Sequence, residues 1–283
     1  MIFLENEKLK VAIKKLGAEL KKITFCGEER LYDGSSDYWS GSAPVLFPIC
    51  GRVRDNTYIL DGKEYTISPH GFAKNMLFTI ESCDKESAVF LLKSNEETLK
   101  SYPFEFEFRV KYTLNDNSIK VEYEARNLSD KNMFAALGSH EAYLCKNGVE
   151  DFDVIFEKEE TLNTHLIDGP LVSEETETVL YKDTVLPLYE KYFKIDALIF
   201  TDIKSRYVTL KNRKTGKSIG VSFPDCDYLL IWSKVGAPFV CIEPWSCCPG
   251  LVNDSKNIFE KPGIKTVLPS DSFKTTHTIS FYN

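Results

Sequence analysis

Residues Phe104 to Asn115 read FEFEFRVKYTLN, and residues Ile119 to Asn127, after a short turn, read IKVEYEARN. In both runs apolar or aromatic side chains alternate with polar ones, the period of two of a strand with one buried face. Asn115-Asp116-Asn117, at the join, supplies residues that tolerate positive φ, so the two runs predict a hairpin. The same signature extends outward to SAVFLLKS (Ser87–Ser94), RYVTLKN (Arg206–Asn212), SIGVSF (Ser218–Phe223) and HTISFYN (His277–Asn283). Further turns are predicted at Asp61-Gly62 and Lys214-Thr215-Gly216. No apolar period of 3.6 is sustained, and short helical stretches are expected only at Glu96–Ser101 and Pro187–Phe193. The chain therefore predicts an all-β fold of antiparallel sheets packed as a sandwich, each strand giving one face to a core. The polar run VSEETETV (Val172–Val179) is expected to be an exposed loop. Residues 1–283 are expected to form one domain, since all-β folds often remain undivided at this length.

Bulk composition narrows the function. With 43% hydrophobic residues the chain can fill a core, and 35 Lys plus Arg against 42 Asp plus Glu gives a net charge of -7. That balance offers no positive field to attract nucleic acid or an anionic membrane surface, so neither is expected as a partner. The opening MIFLENEKLK has no export-signal pattern, and no later run reaches the roughly 18 apolar residues of a spanning helix. A cytoplasmic location is expected, and the eight cysteines are expected to be reduced. Cys241, Cys247 and Cys248 form the densest group, but without a CxxC pair or a histidine nearby in sequence they read as small buried hydrophobes. No metal site is predicted.

Four histidines are present, and two stand in settings that fix a side chain. His70 lies in SPHGFAKNMLF, between proline and glycine, which places it on a tight turn. His140 follows a glycine in AALGSHEAYL. An imidazole titrates near neutrality, which suits proton transfer, whereas the alternative for each is a hydrogen-bonded structural role. His165 and His277 are assigned that structural role. Glu243 leaves an apolar strand in FVCIEPWSCCPG. Partial desolvation there would raise its pKa and make it a better base at neutral pH, the alternative being a partner for an arginine at the strand end. Trp245 beside it offers a flat face to a sugar ring. In PVLFPICGRVRDNTYILDGKEY, an extended backbone would send Arg52 and Arg54 to one face, either into a groove or out to solvent.

Read in order, LGAEL, LFPICGR, YILDGKEY, HGFAKNMLF, YEARNLSDKNMFAALGSHEAY, KIDALIF and CIEPW resemble the aldose 1-epimerases over nearly the whole chain, more closely their LacX-like subgroup. The resemblance implies a galactose mutarotase-like β-supersandwich whose groove binds a monosaccharide, in a monomer or homodimer with no cofactor. It implies His140 as general acid and Glu243 as general base. It also implies Arg52, His70 and Asp196 as sugar-binding groups, with Trp245 at their side. The chain departs from the family pattern where Glu141-Ala142-Tyr143 replaces the usual proline after the histidine, adding a carboxylate. It departs again where Ser246-Cys247-Cys248-Pro249-Gly250 replaces a glycine-containing loop. Rival readings are a hexose-6-phosphate 1-epimerase drawing on Arg54 and Lys74, a non-catalytic sugar-binding protein, and a glycosidase or lyase using Glu141 or Asp196 as a second groove carboxylate.

Overall fold

The computed structural model describes every residue except Ser36 and Ile195. The chain opens with an antiparallel meander of β1 (Ile2–Glu5), β2 (Leu9–Ile13), β3 (Leu20–Phe25) and β4 (Glu28–Glu29), followed by the hairpin β5 (Thr57–Leu60) and β6 (Lys63–Thr66). Asp61 and Gly62 close that hairpin at positive φ, as the sequence predicts. Next come β7 (Thr79–Cys83), β8 (Ser87–Lys93), the helix α1 (Glu96–Ser101), β9 (Phe106–Asn115) and β10 (Ser118–Asn127). Strands β11 (Met133–Ala135) and β12 (Glu141–Leu144) lead into a long hairpin, β13 (Phe152–Asp168) and β14 (Leu171–Pro187). The remainder is β15 (Leu198–Phe200), β16 (Tyr207–Asn212), β17 (Ser218–Ser222), β18 (Tyr228–Trp232), β19 (Phe239–Trp245), β20 (Lys265–Val267) and β21 (Ser272–Tyr282).

The two runs that decide the fold are β9 and β10, joined through Asp116 at positive φ and paired from Asn115 with Ser118 to Phe106 with Asn127. They lie within a nine-stranded antiparallel sheet ordered β14-β13-β16-β17-β21-β10-β9-β8-β7. Their alternation resolves into one buried face, with Phe106, Phe108, Val110, Tyr112 and Leu114 of β9 all turned to the core. Helix α1 forms where expected because the Asn95 side chain accepts the Glu97 and Thr98 N–H groups, satisfying donors that a helix start leaves free. At Pro187–Phe193 only a 3-10 turn forms, over Glu190–Phe193.

A four-stranded sheet, β12-β19-β18-β15, packs across this core. Tyr143, Leu229, Ile231, Val240 and Ile242 point into the same cluster as the inward residues of β9 and β10. Alternate positions on the opposite face, including Ala142, Leu230, Phe239 and Cys241, belong to two smaller apolar clusters. Both faces of β19 are thus covered, which is why FVCIEPW reads as an unbroken buried run rather than an alternating one.

One expectation is corrected. Val172–Val179 is not a loop but the first half of β14, with Thr176 opposite His165 and Thr178 opposite Asn163. Its polar composition reflects an exposed edge strand, where Glu174, Glu175 and Glu177 stay in water while the backbone still pairs with β13. Charges on such an edge discourage pairing with another chain. All eight cysteines are free, six of them buried. No helix among the described residues is long and apolar enough to cross a membrane.

Candidate active site

The groove face of the four-stranded sheet carries the chemistry. Glu141 pairs with Ile242, so the residue before β12, His140, falls beside Glu243 of β19. The junction is tied by the Ser139 N–H, which donates to the Pro244 carbonyl (3.3 Å), and by the Trp245 indole N–H, which donates to the Ser139 carbonyl (3.2 Å). Gly138 is required there, because a Cβ would lie 2.8 Å from both Cys50 Sγ and a Trp245 ring carbon. The imidazole of His140 stacks on Trp39 at 4.8 Å and meets the edges of Trp232 and His70 at 5.5 and 5.6 Å. These contacts hold Nε2 3.4 Å from Glu243 Oε2.

His70 sits on the predicted tight turn, at φ 62, followed by Gly71 at φ 69. A side chain at Gly71 would collide with the Phe47 carbonyl oxygen. The His70 N–H donates to the Gly51 carbonyl (2.7 Å), and the Gly51 N–H donates to His70 Nδ1 (3.2 Å). A nitrogen that accepts carries no proton, so the neutral ring bears its proton on Nε2.

Around these groups lies a cavity of about 360 Å³, within the size range of small-molecule sites. Its wall includes all six residues singled out in the sequence: Arg52, His70, His140, Asp196, Glu243 and Trp245. Trp245 is almost wholly buried, packed edge-on against His70. Arg54 is absent from the cavity wall: the backbone is not extended beyond Val53 but turns through a 3-10 segment, with Asp55 and Asn56 at positive φ. Lys74 lies in an adjoining recess beyond His70, its ammonium donating to the Pro69 carbonyl. Of the KIDALIF segment that carries Asp196, Ile195 is outside the described residues.

The added carboxylate at Glu141 is not a groove residue. Adjacent strand positions face opposite sides, so Glu141 enters the core, where Oε1 meets Nε2 of His277 on β21 at 3.0 Å. Burial alone would raise its pKa, but the charge and hydrogen bond of His277 prevail and lower it. His277 is thereby a structural histidine, as expected. His165 is another, bonded to the Ser173 carbonyl and the Thr201 hydroxyl.

Burial sets the protonation states at the groove. It raises Glu243 well above the ordinary carboxylate range, and the charges of Asp196 and Glu141 add to the effect. The direction is the one read from the sequence. His140 needs more than the slight tuning expected of an imidazole: burial lowers it to about 3, against the opposing pull of Glu141. Burial also lowers His70 well below its usual value, with help from repulsion by a protonated His140 and from the positive charges of Lys74 and Arg52. Asp196, open to the groove but backed by protein, is raised by partial desolvation.

The sequence reading missed several lining residues. Trp39 comes from a Ser/Gly-rich segment, Trp232 from the end of β18, and Ile167, Pro170 and Val172 from the tip of the β13–β14 hairpin. Trp232 had a usable signal, lying two positions from Leu230 on the same strand face. The hairpin tip had none, because its contact with the groove is entirely long-range.

The sequence profile described as aldose 1-epimerase matches residues 1–266. The chain belongs to the aldose 1-epimerase family. Protein LacX of Lactococcus lactis subsp. lactis, in its plasmid form, is 35% identical over 297 residues, covering 100% of this chain and 99% of that one. The crystal structure of a galactose mutarotase related enzyme from Lactobacillus acidophilus is similar with a TM-score of 0.94 at 31% identity, over 100% of this chain and 97% of that chain. A galactose mutarotase-like protein from Lactobacillus casei ATCC 334 gives the same TM-score at 28% identity, with both chains fully covered. The fold is accordingly the galactose mutarotase-like β-sandwich that the family resemblance implies.

Proposed function

We propose that the protein interconverts the anomers of a free monosaccharide by opening and reclosing its ring, with Glu243 and His140 exchanging the protons. The observation that carries this reading is the pair itself: a carboxyl and an imidazole, 3.4 Å apart, at the wall of one sugar-sized cavity. With Glu243 raised and His140 lowered, a proton held by the pair sits on the carboxyl rather than on the imidazole. Passing that proton to His140 gives a carboxylate and an imidazolium. Glu243 then takes the proton of the anomeric hydroxyl, the bond from C1 to the ring oxygen breaks, and the ring oxygen takes the proton of His140. The open-chain aldehyde is thus bound when the pair is back in its neutral resting form. Rotation about the bond between C1 and C2, followed by the same steps in reverse, yields the other anomer.

The reaction moves protons only, without oxidation or group transfer, so no cofactor is consumed. His70, with Nε2–H fixed by the Gly51 contact, donates to a sugar oxygen. Arg52 and Asp196, also on the cavity wall, bind hydroxyls, in keeping with donors and an acceptor at hand. The rival 6-phosphate reading draws less support, since Arg54 lies off the groove and Lys74 lies beyond His70.

Replacing Glu243 by Gln or His140 by Ala is expected to lower turnover at least about a hundredfold, the usual worth of a positioned proton-transfer group. NMR exchange between glucose or galactose anomers measures this, with circular dichroism to verify folding. Folded variants that exchange anomers at the parent rate would remove these residues from the mechanism.

A further inference from the structure

Cys241 precedes Glu243 by two positions on β19 and so shares its face. The thiol sulfur, a nitrogen of His140 and a carboxylate oxygen of Glu243 all lie within 4.8 Å of one another. We infer that this trio is a binding site for a borderline-soft divalent ion, Zn²⁺ above all, which enters from the sugar groove and blocks the acid-base pair.

Three observations carry the inference. The first is the donor set: sulfur, imidazole nitrogen and carboxylate oxygen are the ligand types zinc prefers, and three protein ligands with an open fourth position is its usual arrangement at an accessible site. The second is spacing. Zinc bonds of about 2.0–2.2 Å to nitrogen and oxygen at a tetrahedral angle put those two atoms about 3.4 Å apart. His140 Nε2 and Glu243 Oε2 are separated by 3.4 Å, and the Cys241 sulfur, within 4.8 Å of the other two donors, draws in by about 1 Å on binding to reach zinc–sulfur distance. The third is direction: His140 and Glu243 both face the groove, whose open volume leaves the fourth position to water or a sugar hydroxyl. Cys241, fully buried, lies next along the same face of β19, packed with Ala142 and Phe239.

Binding converts the thiol and the carboxyl to thiolate and carboxylate, releasing two protons to solvent, with no change of oxidation state. The site lacks the outer support of a resident metal centre. A ligating histidine normally donates its second nitrogen to an acceptor, and His140 Nδ1 has no hydrogen-bond partner among the described residues. The ion is therefore a reversible inhibitor rather than a structural part. Only the inhibitory consequence rests on the epimerase reading. No local motif announces the trio, because no histidine lies near Cys241 along the chain.

The test uses the full chain with Cys26→Ser and Cys83→Ser, which remove the two exposed thiols. After chelator treatment, Zn²⁺ is titrated against a chromophoric chelator, and the bound ion is examined by X-ray absorption. One ion per chain is expected, with a single sulfur at about 2.3 Å. Adding Cys241→Ala, or Cys241→Ser should the alanine variant not fold, is expected to remove the sulfur signal. It should also weaken binding at least about tenfold, a loss that even an outer-sphere partner can cause. In metal-free buffer the Cys241 variants keep the parental anomer exchange rate and resist zinc inhibition. Sulfur-free coordination, or equal affinity with and without Cys241, overturns the inference. A chain that binds zinc through sulfur yet never exchanges anomers would instead sink the epimerase reading and leave the metal site standing.

Discussion

His140 and Glu243 receive opposite pKa shifts from one cause, removal from water, and their combination has a consequence for stability. The unfolded imidazole titrates near 6.5 and the folded one near 3. The unfolded carboxyl titrates near 4.5 and the folded one well above that. Just above pH 4.5 the unfolded pair holds about one proton, on histidine, and the folded pair also holds one, on glutamate. The two slopes cancel, and the pair contributes no pH dependence there. Below 4.5 the unfolded pair binds a second proton that the folded pair refuses, so stability falls as pH drops toward 3. The raised Glu243 carboxyl keeps a proton that its unfolded counterpart has lost, so its own contribution to stability falls as pH rises from 4.5 through its folded value.

Single substitutions expose the hidden slopes. In Glu243→Gln only His140 remains, and stability relative to the parent should drop as pH falls from 6.5, by up to about 1.4 kcal/mol per pH unit. In His140→Gln only Glu243 remains, and relative stability should instead drop as pH rises from 4.5. Urea midpoints at pH 5 and 6.5, with a chelator present, measure both. Parallel curves for the parent and the two variants would contradict the assigned shifts.

At the level of elements, the site depends on register and on one strained turn. The pairing of Glu141 with Ile242 puts His140 and Glu243 together and sends Glu141 to the other side of the sheet. A shift of one residue would exchange those faces. The turn at His70 and Gly71 has two consecutive positive φ values, and only the second is held by a residue without a side chain. Gly71→Ala combines an unfavourable φ with a clash against Phe47, so we expect a loss of about 1–3 kcal/mol. It should also reduce anomer exchange, since the same turn aims His70 into the groove. Urea denaturation and NMR exchange on one preparation test both effects, and a variant as stable as the parent would show that the turn relaxes freely. The hairpin of β13 and β14 teaches a different lesson. The exposure of VSEETETV was readable, but its ladder to β13 was not, because side-chain polarity reports contact with water and says nothing of backbone pairing.

Across the whole molecule, the four-stranded and nine-stranded sheets share a single apolar cluster that runs from Leu4 to Phe281. We propose on that basis that residues 1–283 act as one folding unit. Thermal unfolding followed by circular dichroism and by tryptophan fluorescence should then give coincident transitions, whereas two separated midpoints would divide the chain.

The sequence by itself determined the all-β class, the hairpins at Asp61-Gly62 and Asn115–Asn117, the turn at His70 and the buried setting of Glu243. Each of these follows from alternation, turn chemistry or a local apolar run, which are properties of neighbouring residues. Tertiary structure alone decided that His140 meets Glu243 and Cys241, that Glu141 pairs with His277, and that burial takes His140 far below its ordinary value. Those outcomes depend on strand register and on what covers each sheet face, and both are set by contacts between residues a hundred or more positions apart.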